Sequence, residues 1–396
     1  MIRIEEVNLR LARALDGARL PSERVAVRRA RGRVLAADQV SALDLPPFDK
    51  SAMDGYAILA DDESESYRVL GTVAAGQSAA LTLSRGTAVK VMTGAPVPAG
   101  AGRVIMQEET EERDGLLRVL RHGAAAHICR MGEDVQRGDV ILRSGTRVGA
   151  LELANLIACG ITEVEAVRPV RVAIISTGDE LVEHPSELVH GKIIDTNTPL
   201  LEALAESHGL QVVTVTHVPD DHDATAQAIR AGVLAADIVV LSGGISVGDF
   251  DYVHDALADL GIRELFAGVA LKPGRPLTCA RAQNGAMVVA LPGNPVSVHL
   301  MFHLCVLRIA ALLSGADPDL PELELELGER FTRRLTERQE YLPARVSAAG
   351  VVHAVEFHGS AHLTALMQAD GYLVVPVGPA ELPKGSRVRF LPIREM

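Results

Sequence analysis

From Arg168 to Leu313 the chain repeats one unit, an apolar strand followed by a helix, and this limits the possible folds more than any other feature of its 396 residues. RPVRVAIISTG reads as a strand ending in a polar turn, and PLLEALAESHG as a helix stopped at Gly209. QVVTVTHVPDD and DIVVLSGGISVGD are further strands around the helix DATAQAIRAGVLAA. AMVVALPGNP is another strand, followed by the long apolar helix PVSVHLMFHLCVLRIAALL. Strands alternating with helices make a parallel α/β sheet, and such sheets bind ligands beyond the carboxyl ends of their strands.

Four of those ends carry unusual polar sequences. They are Ser176-Thr177-Gly178-Asp179-Glu180, Pro219-Asp220-Asp221, Ser242-Gly243-Gly244-Ile245-Ser246-Val247-Gly248-Asp249 and Pro292-Gly293-Asn294-Pro295. Parallel strands bring all four to one rim. Glycines there expose successive N–H groups to an anion, and Ser242 and Ser246 add hydroxyls; a plain tight turn would also need those glycines. The loop fits neither the P-loop nor the G-x-G-x-x-G pattern. Asn294 and Pro295 suit the first positions of a helix, whose positive end can also face a phosphate. Lys272 and Arg275 put two cations in a proline-framed turn, suited to an oxyanion or simply solvated. Asp54, Asp134, Asp179, Glu180, Asp220, Asp249 and Asp251 lie in Gly- or Pro-bearing turns. Turn chemistry explains part of this set. Carboxylates beside an anion site also suggest a bridging divalent cation, for which Mg²⁺ needs one or two of them. His299 and His303 share a helix face among apolar neighbours and have no third ligand, which points to buried, hydrogen-bonded histidines.

Outside this region, residues 1–40 read as helical, with Ser22 as an N-cap, and 149–160 as another helix. Residues 56–135 read as short strands and glycine turns, DPDLPELELELGE as a linker, and the tail as a small β-barrel or sandwich. A formal net charge of −12 argues against broad nucleic-acid or anionic-membrane binding. No run of 18 apolar residues is present, so no membrane span is expected. The 4 cysteines are scattered and lack a C-x-x-C pair, which fits a reducing cytoplasm.

The motifs LPPFDKSAMDGYA, VMTGAPVPAGA, MGEDV, STGDEL, VPDD, SGGISVGDFDYV, LKPGRPL and LPGNPVS follow one another along the chain. In that order the sequence resembles the molybdopterin molybdenumtransferase family, which includes the C-terminal domain of gephyrin. The resemblance implies an α/β multidomain homodimer. Its expected parts are a discontinuous helical domain (1–44 plus 136–168), an inserted β-rich domain (45–135), an α/β molybdopterin-binding domain (169–318) and a C-terminal β-barrel (319–396).

The resemblance also implies a reaction in which adenylated molybdopterin and molybdate are substrates. The adenylate is hydrolysed with Mg²⁺, AMP leaves and molybdenum ends on the dithiolate. The family's functional residues fall on Asp54, Thr93, Asp134, Glu180, Asp220, Asp251, Lys272 and Ser360. The expected catalytic set is Asp54, Asp134, Glu180, Asp220, Asp251 and Lys272, with Asp54, Glu180, Asp220 and Asp251 as metal ligands. The expected binding set is Thr93, Ser176, Thr177, Gly178, Ser242, Gly243, Gly244, Ser246, Arg275, Pro292, Gly293, Asn294, Ser297 and Ser360. Molybdopterin adenylyltransferase and recipient molybdoenzymes are the implied partners. Where many members carry basic residues this chain has Cys129 and Gly268, so Arg130, Arg275 or Arg345 is the expected substitute. A non-catalytic scaffold and a pterin-adenylating enzyme are the alternative readings.

Overall fold

A computed structural model describes residues 1–121, 123–244 and 252–393. Its centre is a sheet of six strands: β1 (Arg171–Thr177), β2 (Gln211–Val218), β3 (Ile238–Ser242), β4 (Arg263–Ala267), β5 (Thr278–Arg281) and β6 (Met287–Leu291). The order is β2-β1-β3-β6-β5-β4; the first four are parallel, and β5 and β4 join antiparallel. Side chains alternate across β1 as a strand requires. Val172 and Ile174 enter one apolar core, while Ala173 and Ile175 enter the other.

The first core also holds Val7, Leu11 and Leu15 from α1 (Ile4–Ala14) and its end, and Leu201 and Ala205 from α3 (Asn197–Ser207). The second holds Ile229 from α4 (His222–Ala235) and Val253, Ala256 and Leu257 from α5 (Tyr252–Asp259). The helix α6 runs from Pro295 to Ser314 and includes a π-helical turn at Phe302–Val306. Its mean hydropathy of 2.0 and its 20 residues would suffice to cross a membrane, but its most apolar window is 83% buried inside the protein. Gly315 ends it in the left-handed conformation, φ 75°.

Two N-terminal expectations change. Only Ile4–Ala14 is helical within residues 1–40, apart from a single 3₁₀ turn at Val27–Arg29, and α1 packs on the α/β core rather than on residues 136–168. Ser22 caps no helix: Ser22–Ala26 is a strand paired antiparallel with Glu163–Val167. Val25 and Val27 both point inward, a period of two that a cross-strand partner stabilises and helix propensity does not. Gln39–Val40 likewise pairs with Val140–Leu142. Together with α2 (Ala150–Ala158) these strands enclose a small core of Val27, Ala30, Leu35, Val148, Leu156 and Val164. The segment between them forms a six-stranded sheet from Gly55 to Val119.

The expected linker is partly a strand. Leu323–Leu327, with its alternating Leu and Glu, pairs with Arg387–Pro392. Closure comes from Gln339–Val346 pairing with Gly371–Val375, giving a five-stranded C-terminal barrel. Leu271–Lys272 attaches to this barrel, parallel to Gln339–Glu340.

His299 and His303 are buried and hydrogen-bonded, as expected. His299 Nδ1 lies 2.8 Å from the Tyr372 hydroxyl, and His303 Nδ1 lies 2.8 Å from the His299 carbonyl. Burial pushes His303 down to about 4, with a smaller contribution from His208, against the opposing effect of the bond to His299. The unfolded chain therefore binds the extra proton between about pH 6.5 and pH 4, so stability falls as the pH drops through that window. The expected loss is about 3 kcal/mol, complete near pH 4. Urea unfolding at stepped pH checks it. The His303→Leu variant should lose that part of the slope, and an unchanged slope would mean that other groups cause it.

Candidate active site

The parallel strands bring the expected motifs to one rim. β1 ends in Ser176 and Thr177, β3 in Ser242, and β6 runs into Pro292-Gly293-Asn294. Ser176, Thr177 and Ser242 are buried at their strand ends. Gly243 and Gly244 have φ of 98° and 67°, a region that glycine adopts at least cost. They also run close to β1: a Cβ on Gly243 would lie 2.6 Å from the Thr177 carbonyl oxygen, and one on Gly244 would lie 2.9 Å from Thr177 Oγ1. A bulky residue at Gly243 would therefore displace the backbone itself, as well as any ligand above it.

Asn197, at the start of α3, ties the rim together. Its Nδ2 donates to Ser242 Oγ (2.8 Å) and to the Gly293 carbonyl (2.6 Å). Two polar atoms here are buried without a partner among the described residues, Thr177 Oγ1 and Asn197 Oδ1. Leaving such atoms unpaired costs roughly 1–3 kcal/mol each, so the rim is built to accept further hydrogen bonds. Beside it lies a cavity of about 550 Å³ whose wall includes Ser176, His217, Asp195 and Thr198. Ser176 Oγ and His217 Nδ1 are 3.0 Å apart. Asp195 accepts from the N–H groups of Asn197 and Thr198 and from the Thr198 hydroxyl, which fixes the start of α3. Asn197 and His217 were not singled out from the sequence. The Asp195-Thr196-Asn197 run ahead of Pro199 was the available signal, being a turn between a strand and a helix.

Asp220 joins the rim through reciprocal bonds with Asp179: each backbone N–H donates to the other's carboxylate, at 3.2 and 3.3 Å. Glu180 is exposed, and its carboxylate folds over Gly178, with Oε2 2.5 Å from where a Cβ would stand. Asn294 occupies the N-cap position but does not cap α6. Its Nδ2 instead donates to Ser360 Oγ at 2.9 Å, and the Ser360 carbonyl accepts from Val296 N–H at 3.0 Å. Ser297 is buried in the first turn of α6.

The remaining expected residues lie elsewhere. Lys272 is paired with the buried Glu340 of the barrel at 2.6 Å, while Arg275 is exposed in the same turn. Asp54 accepts from Thr93 N–H (2.7 Å) and Thr93 Oγ1 (2.8 Å) in the N-terminal β-sheet region, and these bonds hold its carboxyl below the usual range. Asp134 is exposed, with its N–H bonded to the Leu45 carbonyl. Arg130 is committed to Asp49 at 2.6 Å, and Arg345 is exposed on the barrel. Ser246 and Asp251 lie outside the described residues. Among the described residues no group of three or more His, Cys, Asp or Glu side chains could hold a metal.

Three family models match the chain: the MoeA N-terminal region (domain I and II) over residues 3–160, the probable molybdopterin binding domain over 173–312, and the MoeA C-terminal region (domain IV) over 325–393. A molybdopterin molybdenumtransferase of Haemophilus influenzae is 32% identical, covering 95% of each chain. The chain belongs to the molybdopterin molybdenumtransferase family. It is thus a transferase with a role in molybdenum cofactor biosynthesis. A family relative from Nostoc sp. is 33% identical over 91% of this chain and 86% of its own. The crystal structure of a molybdopterin biosynthesis MoeA protein from Pyrococcus horikoshii superposes with a TM-score of 0.83 at 32% identity, covering 99% of this chain and all of that one.

Proposed function

We propose that the crevice at the carboxyl ends of β1, β3 and β6 binds adenylated molybdopterin, and that water cleaves its phosphoanhydride there, releasing AMP, as molybdate places molybdenum on the dithiolate. The observation that carries this reading is a pair of buried atoms without a partner among the described residues, Thr177 Oγ1 and Asn197 Oδ1, beside the Gly243-Gly244 turn. Ser176, Thr177, Gly178, Ser242, Gly243, Gly244, Pro292, Gly293, Asn294, Ser297 and Ser360 form or support the binding surface. Lys272, although paired with Glu340, and Arg275 lie outside this rim and would supply positive charge to the molybdate oxyanion on its way in.

Mg²⁺ fits the exposed acids at this rim, since it takes one or two carboxylates and completes its shell with phosphate oxygens and water. Glu180 and Asp220 would hold it, and it would supply charge neutralisation at the adenylate phosphate. Glu180 orients the phosphate end, the glycine turn presents N–H groups to it, and Asn197 keeps the β3 and β6 loops in register.

Asp54, Thr93 and Asp134 reach the reaction from a second copy of the chain in a homodimer. Asp54 and Thr93 are bonded to each other within the N-terminal sheet region, and Asp134 is exposed on the segment that follows it, so a partner's crevice is their proposed destination. The unpaired cysteines suit a reducing cytoplasm. The products would pass to molybdoenzymes, and the substrate would come from an adenylyltransferase.

One experiment tests both parts. Fractions from a sizing column, with mass read by light scattering, are given adenylated molybdopterin and Mg²⁺, with and without molybdate. AMP release should require molybdate and coincide with the dimer mass. Release that ignores molybdate would remove the proposed reaction, and full activity at the monomer mass would remove the shared site.

A further inference from the structure

At the opposite end of the central sheet, a cavity of about 380 Å³ opens beneath the amino ends of β1, β3 and β6. Four arginines stand in its wall, Arg19, Arg168, Arg171 and Arg281, against one carboxylate, Asp237. Asp237 is already engaged. Arg168 binds it through both terminal nitrogens (2.6 and 2.7 Å), and the Arg171 backbone N–H donates to it at 2.8 Å. Burial alone would raise the Asp237 carboxyl, but the Arg168 and Arg171 contacts outweigh it and hold the group below its usual range.

The other guanidinium groups are less well matched. Arg19 Nη1 donates to the Leu312 carbonyl (2.6 Å) and the Ala18 carbonyl (3.2 Å). Arg281 Nη1 donates to the Ala14 carbonyl. Carbonyls accept the N–H groups without neutralising the charge. Arg171 Nη2 reaches the same Asp237 carboxylate only at 3.5 Å, and its buried Nε has no partner among the described residues. Like charges gathered on a concave wall repel one another, and a buried donor without an acceptor adds a desolvation cost. One dianion would relieve both, because the planar fork of arginine matches the oxygens of a tetrahedral oxyanion.

We infer that this cavity is a second anion site, taking a phosphate-type dianion either free or as a phosphate monoester. It is separate from the crevice, since the seven residues of β1 set the two ends of the sheet about 20 Å apart. Leu20, Val233 and Leu313 also line it and leave an apolar side for the body of an ester. The surrounding segments give the site a consequence. Arg19 and Leu20 follow α1, Arg168 leads into β1, and Leu313 lies near the end of α6. An anion here would fasten both segments that lead into the α/β core, the one after α1 and the one before β1, to the underside of its sheet.

The test locates the anion as well as detecting it. Crystals of the full chain soaked in tungstate should show anomalous density between Arg171 and Arg281, besides any density in the crevice. Density in the crevice alone overturns the inference. In solution, inorganic phosphate and ribose 5-phosphate are titrated by calorimetry into the protein, into Ser242→Ala and into Arg19→Ala with Arg281→Gln. The arginine variant should lose at least tenfold in affinity for one class of sites, while Ser242→Ala keeps that class. Equal titrations in the arginine variant and the unaltered protein would refute the site. Tighter binding of the ester by tenfold or more assigns a monoester as the natural ligand, and equal binding assigns the free anion. Should the double variant fail to fold, Arg19→Ala alone carries the comparison, because among the described residues the Arg19 guanidinium bonds only to backbone carbonyls. Molybdate-dependent AMP release should stay within about twofold in Arg19→Ala.

Discussion

Changing Glu180 to glutamine should reduce molybdate-dependent AMP release by about 10²-fold or more, the usual effect of losing one preorganised charged group at a reacting phosphate. The substitution keeps the size of the side chain and removes its charge. Among the described residues, Glu180 forms no side-chain hydrogen bond or ion pair, and its backbone carbonyl alone is engaged, by Ile193 N–H at 2.8 Å. Folding stability should therefore change little. Pterin affinity should fall much less than turnover, because Asp220 remains to hold the cation and the glycine turn that presents N–H groups to the phosphate is untouched. The effect then falls on kcat, the mark of an interaction made in the transition state. Rapid mixing of the variant with adenylated molybdopterin, Mg²⁺ and molybdate, followed by quantification of AMP and bound pterin, checks this. Adenylated pterin should accumulate on the variant; AMP release at the unaltered rate would reduce Glu180 to a turn residue.

The second large effect is expected at Glu340, on stability. Its carboxylate is buried, 6% exposed, between Lys272 Nζ at 2.6 Å and the almost fully buried Arg333 at 3.8 Å. Glu340→Ala leaves Arg333 as a buried cation with no carboxylate beside it. Breaking a buried pair in this way costs about 3–5 kcal/mol. Arg333 also donates to the carbonyls of Pro379 and Arg338, both at 3.0 Å, which places the expected loss at the lower end of that range. Lys272 is half exposed and is released into solvent, so the turn bearing it loses its tie to the barrel. Urea unfolding followed by barrel tyrosine fluorescence (Tyr341 and Tyr372 are buried there) should show the lowered midpoint. Replacing Glu340 and Lys272 together by Gln and Met should cost no more than Glu340→Ala. A stability within about 0.5 kcal/mol of the original in Glu340→Ala, the range of an ordinary surface change, would show the triad to be energetically idle.

The α/β core was legible in the sequence because its signals are local. Apolar runs such as DIVVL and AMVVAL read as strands buried on both faces, and the glycine turns after them interrupt the pattern where the chain must reverse. Parallel pairing then follows from the alternation, and with it the gathering of Ser176, Ser242 and Gly293 at one rim. The buried His299 and His303 were equally readable, since their apolar neighbours leave no room for a ligand set. The eight ordered motifs identified the family, because each joins several unusual residues at fixed spacing.

Other features depend on partners distant in sequence. Ser22–Ala26 is a strand because Glu163–Val167 lies beside it, and nothing in the first forty residues announces that pairing. Leu323–Leu327 looks like a charged linker until Arg387–Pro392 satisfies its backbone. Asn294 has the residue type and position of a helix cap, yet Ser360, 66 residues later, takes its side chain. Asn197 gained its place at the rim because the fold sets it within reach of both Ser242 and Gly293. By itself the sequence determined the strand-and-helix alternation, the location of the crevice and the family. The tertiary structure alone decided which side chains face one another across it, because a hydrogen bond depends on separations of about 3 Å between groups whose distance along the chain carries no information about their distance in space.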